Sequence, residues 1–166
     1  KTDDELLKDI FTTAFFTGMR LGELLNMRSS WIDFNQNIIT VKNSEDFKTK
    51  NKRERIIPIH NKVHSILKKN LPLNKQSANP LVFYRKKDIK VNGDFISKQF
   101  KQAIRSAELN ENIHFHSLRH SFASALVQRS VSLYAVKELL GHEDIKTTQI
   151  YSHSTQSSLS NAIQLL

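Results

Sequence analysis

Three short segments of this sequence concentrate arginine, histidine and tyrosine. In TGMRLGELL, Arg20 and Glu23 stand at i and i+3, so one helical face carries both. Alone, that spacing reads as a surface ion pair. However, Arg20 directly follows a helix break, which puts its guanidinium at a loop edge where it can grip a phosphate bidentately. In HSLRHSF, His116 and Arg119 are three apart and project together. His120 lies four after His116, a spacing that also suits a zinc pair, but the zinc-peptidase pattern needs a glutamate after the first histidine and Ser117 stands there. The expectation is therefore no metal, with His120 near the apolar stripe as a buried, hydrogen-bonded histidine and not an acid or base. In LLGHEDIKTTQIYSH, His142 follows a helix-ending glycine and so sits at a corner, nine residues before Tyr151. On one straight helix those two would face apart. A new helix start at Asp144 puts them on different elements and removes the objection. Alone, Tyr151 reads as a half-buried packing tyrosine.

The elements that must position these residues are mostly helical. Thr2 or Asp3 can cap a first helix with Leu6, Leu7, Ile10, Ala14 and Phe15 inward and Gly18 as its stop. A second helix follows from about Arg20 to Met27. Ile38 to Lys42 and Glu54 to Ile59 read as strands, with a lysine-rich turn between them. Val63 to Lys69 is helical, Leu81 to Tyr84 is a third strand or a buried connection, and Asp94 caps a helix reaching Ala107. Ser117 to Arg129 carries Leu118, Phe122, Ala125 and Leu126 at helical spacing. Ser132 caps the next helix, with Leu133, Val136, Leu139 and Leu140 inward and Gly141 ending it. Asp144 caps a short helix containing Tyr151. After the small-residue stretch SHSTQSS, a stripe of Leu159, Ala162, Ile163 and Leu166 makes one apolar face. The fold class expected is mainly α with a small antiparallel β-sheet (α+β).

Composition narrows the partner. Lys and Arg number 25 against 16 Asp and Glu, a net charge of +9, which favours polyanions because each neutralised phosphate releases counterions. With no cysteine there is neither a disulfide nor a thiolate zinc site. No apolar run reaches the roughly 18 residues of a membrane span, and the polar start KTDDELLKD reads as a helix, not a signal peptide.

Taken together, the three segments closely resemble the tyrosine recombinases, the phage integrase family, and specifically Xer-like catalytic domains. That family carries an arginine after a T-G-x motif, an H-x-x-R segment, a G-H/W motif and a nucleophilic tyrosine nine residues after that histidine. Here these are Arg20, then His116 with Arg119, then Gly141–His142, then Tyr151, all in order, with about a hundred residues between the arginines. The family also places a lysine in a β-hairpin turn between the arginine motifs. KTKNKRERIIPI offers Lys48, Lys50 and Lys52, and counting back from RIIPI points to Lys50, although the usual neighbouring glycine is missing.

The resemblance implies a tyrosine recombinase fold and a site-specific DNA recombinase or integrase acting on double-stranded DNA through a 3′-phosphotyrosyl intermediate. In that reading Arg20 and Arg119 bind the scissile phosphate, and His116 and His142 add hydrogen bonds to it. Tyr151 attacks, His116 is the candidate proton acceptor, Lys50 protonates the departing 5′ oxygen, and Glu23 orients a neighbouring basic side chain. The arginines and the lysine supply the positive charge, so neither cofactor nor metal is invoked. Residues 1–166 are expected to be one catalytic domain without the N-terminal helical domain that completes the family's clamp. The setting implied is the cytoplasm, the protein being bacterial or phage-encoded. The expected assembly is a homotetramer on paired sites, the domain alone being monomeric, with the C-terminal tail docking on a neighbour or on its own domain. Two rivals differ in outcome: a type IB topoisomerase-like enzyme would reseal the same duplex, and a catalytically idle DNA-binding module would form no covalent bond.

Overall fold

In a computed structural model of the chain, residues 2–44, 47–49, 53–71, 78–85 and 89–152 are described. The lysine turn that includes Lys50 and Lys52, and the apolar stripe from Leu159 to Leu166, lie outside the described residues. The architecture is mainly helical with one small antiparallel sheet, as expected.

Helix α1 spans Glu5–Thr17 and is capped by Asp4, whose carboxylate accepts from the Leu6 and Leu7 amides. Its buried face is Leu7, Ile10 and Ala14 together with Asp9, Thr13 and Thr17. Phe15, expected inward, is 37% exposed because it lies one position past that stripe, beside Ala14. Gly18 ends α1 in the left-handed region at φ +63°, where an added Cβ would lie 2.5 Å from the Phe122 ring. The glycine thus stops one helix and lets another approach.

Helix α2 is only Leu21–Leu25, with Arg20 as its N-cap. A 3₁₀ turn at Ser29–Trp31 leads to the sheet. Strands β1 (Ile32–Asp33), β2 (Ile38–Val41) and β3 (Arg55–Pro58) pair antiparallel in that order, with Ile39 opposite both Ile32 and Ile57. The two-residue β1 was not expected from sequence, being too short to show a period. Leu81 to Tyr84 is a buried connection and not a sheet strand: Leu81 bridges Arg28, and Val82 and Phe83 are fully enclosed. Pro58 sits on β3, at the sheet edge, where a missing N–H costs no ladder bond.

Helix α3 spans Asn61–Asn70 and α4 spans Gly93–Ser106. The cap of α4 is Asn92, two residues before the expected Asp94, because its amide oxygen accepts from the Asp94 and Phe95 amides. The main core joins α1, α3, α4 and the sheet through Leu7, Ile10, Ile39, Ile57, Leu67 and Ile96.

The chain then enters α5 (Ser117–Val127), α6 (Leu133–Leu140) and α7 (Lys146–Gln149). On α5 the expected stripe of Leu118, Phe122, Ala125 and Leu126 is only half-buried, and the most enclosed side chains are Arg119 and Ala123. On α6, Val136 and Leu140 are buried while Leu133 and Leu139 are half-buried. Ser132 caps α6 and Gly141 ends it at φ +66°. Asp144 accepts from the Lys146 amide as α7 begins, but α7 is shorter than expected, so Tyr151 lies in the turn just after it. A second, smaller core of Ala123, Val136, Leu140 and Tyr151 forms between α5 and α6. Among the described residues no helix is long and apolar enough to cross a membrane.

Candidate active site

The site is built around a buried carboxylate. Glu23 is only 2% exposed, so the surface ion pair suggested by its spacing to Arg20 is instead an interior one. Its Oε2 accepts from the Arg20 backbone amide at 2.8 Å and its Oε1 from the Arg20 guanidinium at 3.1 Å. Arg55 grips the same carboxylate with both terminal nitrogens, at 2.9 and 2.7 Å, and its Nε donates to the Leu139 carbonyl at 2.9 Å. Burial alone would raise the Glu23 pKa, but the hydrogen bond and charge of Arg55, then Arg20, outweigh it and hold Glu23 below the ordinary range.

Arg55 was missed in the sequence, although a signal was present. Strand alternation puts Arg55 on the inner face with Ile57, and a charge on a buried face requires a partner. Gly141 makes room for it: a Cβ there would fall 2.8 Å from Arg55 Cδ.

Arg119 is the second centre and is also only 2% exposed. One terminal nitrogen donates to the Gly18 carbonyl and the other to the Leu140 carbonyl, each at 2.7 Å. Those carbonyls end α1 and α6, where unpaired oxygens and the helix dipoles carry partial negative charge. A buried cation is therefore compensated without a carboxylate of its own. Burial, then the charge of Arg20, pushes the Arg119 pKa down to about 9, so it remains cationic at neutral pH.

The histidines surround these cations. His142, half-buried just past Gly141, shares a 2.9 Å hydrogen bond through Nδ1 with the hydroxyl of the fully buried Thr148. Burial, then Arg119, Arg20 and Arg55, lower its pKa to about 4, so the ring is neutral in ordinary buffers. His116 is the N-cap of α5, and its pKa is lowered by partial desolvation and then by His120, Arg119 and Arg20. His120, one turn on, is exposed and not buried as expected, because the enclosed face of α5 is the one carrying Arg119 and Ala123. Its ring meets His116 edge-to-face at 5.0 Å.

Tyr151 is 8% exposed, its ring in the small core with Ala123, Val136 and Leu140. Its hydroxyl meets His120 Nδ1 at 2.7 Å. Burial raises the phenol's pKa, and the charge of Arg119 partly offsets that.

The structure thus brings Arg20, Glu23, His116, Arg119, His120, His142 and Tyr151 into one neighbourhood, while Lys50 lies outside the described residues. Beside them opens a cavity lined by Arg20, Arg53, Arg55, Lys137, Gly141 and His142. Lys48 is exposed, on the approach to the lysine turn. Cationic donors fixed around a buried phenol suit an anionic ester, such as a phosphodiester, attacked by oxygen.

Residues 1–158 match the model of the phage integrase family. The chain belongs to that family. It is 31% identical over 160 residues to a tyrosine recombinase of Thermosipho africanus, which covers 96% of the chain and 53% of the relative. It is 37% identical over 152 residues to tyrosine recombinase XerC of Pseudomonas fluorescens, covering 90% of the chain and 48% of the relative. The chain spans about half the length of the curated relatives it matches. Among solved structures, the Tn1549 transposon integrase in complex with a circular intermediate DNA superposes with a TM-score of 0.83 at 19% identity, covering 99% of this chain and 60% of that one. The XerH site-specific recombinase bound to its difH substrate, in a pre-cleavage complex, superposes with a TM-score of 0.78 at 26% identity, covering 98% and 48%.

Proposed function

We propose that this chain is the catalytic part of a site-specific DNA recombinase that cuts and rejoins strands through a 3′-phosphotyrosyl bond to Tyr151. The observation that carries the reading is the pair of hydrogen bonds that Arg119 donates, which ties the Gly18 and Leu140 carbonyls to α5. Through one guanidinium the segments bearing Arg20, His116 and His142 are drawn together. Family membership and the similarity to tyrosine recombinases support the same reading.

In this mechanism Arg20 and Arg119 hold the non-bridging oxygens of the scissile phosphate. Two of the five N–H donors of Arg119 serve the helix ends, which leaves others for an anion. Neutral His116 and His142 add hydrogen bonds, and Glu23 keeps Arg20 and Arg55 in place. Because these groups are fixed before substrate arrives, the developing charge meets donors that need not reorganise. Tyr151 attacks phosphorus, the bond to the 5′ oxygen breaks, and Lys50 gives that oxygen a proton. A 5′ hydroxyl from a second duplex reverses the step, so strand exchange needs no ATP. The working assembly is a homotetramer on paired duplexes, and its setting is the bacterial cytoplasm.

A nicked suicide duplex tests the activity, because the short leaving strand diffuses away and traps the covalent state. A denaturation-resistant adduct is expected. Its absence would favour an idle binding module, and resealing of the same duplex alone would favour a topoisomerase-like enzyme. For Lys50, Lys50→Ala should slow cleavage of an ordinary phosphodiester by about 10²-fold or more. A 5′-bridging phosphorothiolate, whose sulfur leaves without a proton, should restore it. Restoration in Lys48→Ala or Lys52→Ala instead would move the role to that lysine.

A further inference from the structure

The phenol of Tyr151 has to lose a proton to attack phosphorus, and the family resemblance makes His116 the candidate acceptor. The structure aims it elsewhere. Tyr151 Oη lies 2.7 Å from His120 Nδ1, a short hydrogen bond across 31 residues of chain. We propose that His120 is the proton acceptor of Tyr151.

Three features of the arrangement support this. Ala123, one turn beyond His120 on α5, shares the small core with the Tyr151 ring, so the phenol is seated with its hydroxyl directed along the helix toward His120. His120 is itself exposed, so a proton received on Nδ1 can leave through the opposite ring edge to water. His116, by contrast, meets His120 only edge-to-face, and its surroundings hold it neutral beside Arg119 and Arg20, which suits a hydrogen-bond donor to phosphate. Among the described residues the His120 ring contacts that of His116, at the N-cap of α5, and that of Tyr151, from the turn after α7.

The step balances as follows. With its own proton on Nε2, His120 accepts the phenolic proton on Nδ1 as the Tyr151 oxygen–phosphorus bond forms and the phosphorus–5′ oxygen bond breaks. The 5′ oxygen takes a proton from the general acid. In the reverse step the imidazolium returns its Nδ1 proton to the departing phenolate.

This inference rests on Tyr151 being the nucleophile, and the test separates the two claims. The full-length protein is assayed in single turnover on a nicked duplex first shown to be trapped covalently by the unaltered protein. If no duplex is trapped, the recombinase reading fails before His120 is at issue. With trapping established, His120→Ala should bind DNA within a few fold of the unaltered protein but form adduct about 10²-fold more slowly, the usual scale of general-base catalysis. Because the site is open to solvent, added imidazole should recover at least a tenth of the lost rate in His120→Ala and change nothing in the unaltered protein. His120→Asn keeps an acceptor near the Nδ1 position but cannot carry the proton, and should be as slow as the alanine variant; it also decides the matter if His120→Ala folds poorly. Three results would overturn the proposal: His120→Ala within threefold of the unaltered rate or faster, no response to imidazole, or full recovery in His120→Asn, which would make His120 a positioning residue only.

Discussion

The buried charged cluster and Tyr151, the proposed nucleophile, are built in opposite ways. Glu23, Arg55 and Arg119 are locked among helix ends and a strand, each by several short bonds, and Glu23 and Arg119 are both only 2% exposed. Tyr151 follows a helix of four residues, belongs to the smaller core, and among the described residues has its hydroxyl bonded to an exposed histidine. The first design suits charges that must be ready before substrate arrives, since a buried, preorganised donor stabilises developing charge without moving. The second suits a group whose engagement is gated, because segments with few buried contacts open at low cost. In the proposed mechanism the site thus separates electrostatic readiness from nucleophile delivery.

The largest effect should come from breaking the locked half. Glu23→Ala leaves the guanidinium of Arg55 enclosed without its carboxylate, and removing one partner of a buried pair costs about 3–5 kcal/mol. Chemical denaturation should show that loss, and DNA cleavage should fall with it. A change under 1 kcal/mol would mean that the cluster is not the rigid part of the site.

Gly141→Ala should come next. The position has φ +66°, and the new Cβ would press on Arg55 Cδ at 2.8 Å, while the Arg55 guanidinium is held by Glu23 and Leu139 and cannot step aside. Strain of this kind costs about 1–3 kcal/mol. Adduct formation should drop along with the unfolding midpoint, and an alanine variant of unaltered stability would separate Gly141 from the Arg55 clamp.

The smallest effect concerns pH. His142 titrates near 4 when folded against an ordinary 6.5, so below 6.5 the unfolded chain binds a proton that the folded site refuses. Its stabilising contribution is therefore complete above about 6.5 and is lost as pH falls through about 4. His116, also lowered, acts in the same direction. Thermal melts from pH 7 to 4 should fall progressively, and His142→Gln should flatten part of that fall. An unchanged slope in the variant would show that His142 is not held neutral by burial and the arginines.

Much of this division could be read in the sequence, for reasons that are local. Gly18 and Gly141 announce helix ends because left-handed backbone favours glycine, and the strands at 38–41 and 55–58 show their β-branched residues openly. What could not be read depends on contacts distant in sequence. Arg119 bonds a carbonyl 101 residues away, and Arg55 reaches a carboxylate 32 residues away. The burial of Arg119 hid behind an apolar pattern that pointed to Leu118 and Phe122, since periodicity cannot show that a cation will find two helix ends. The exposure of His120 was misjudged for the same reason. The sequence places Tyr151 in a helix, whereas α7 stops at Gln149, a difference of the one or two residues by which helix ends fray.

In the proposed mechanism this preorganised charge acts on a phosphodiester attacked by Tyr151. The direct measurement is mass spectrometry of the adduct trapped on a nicked duplex, with the full-length protein and its Tyr151→Phe variant run side by side. The phenolic oxygen is all that the substitution removes, and affinity for duplex comes mostly from phosphate contacts, so binding should persist within a few fold. The unaltered protein should carry a 3′-phosphoryl nucleotide on the peptide containing Tyr151, and the variant should carry none. A nucleotide found on another residue, or an adduct that survives in Tyr151→Phe, would contradict the account.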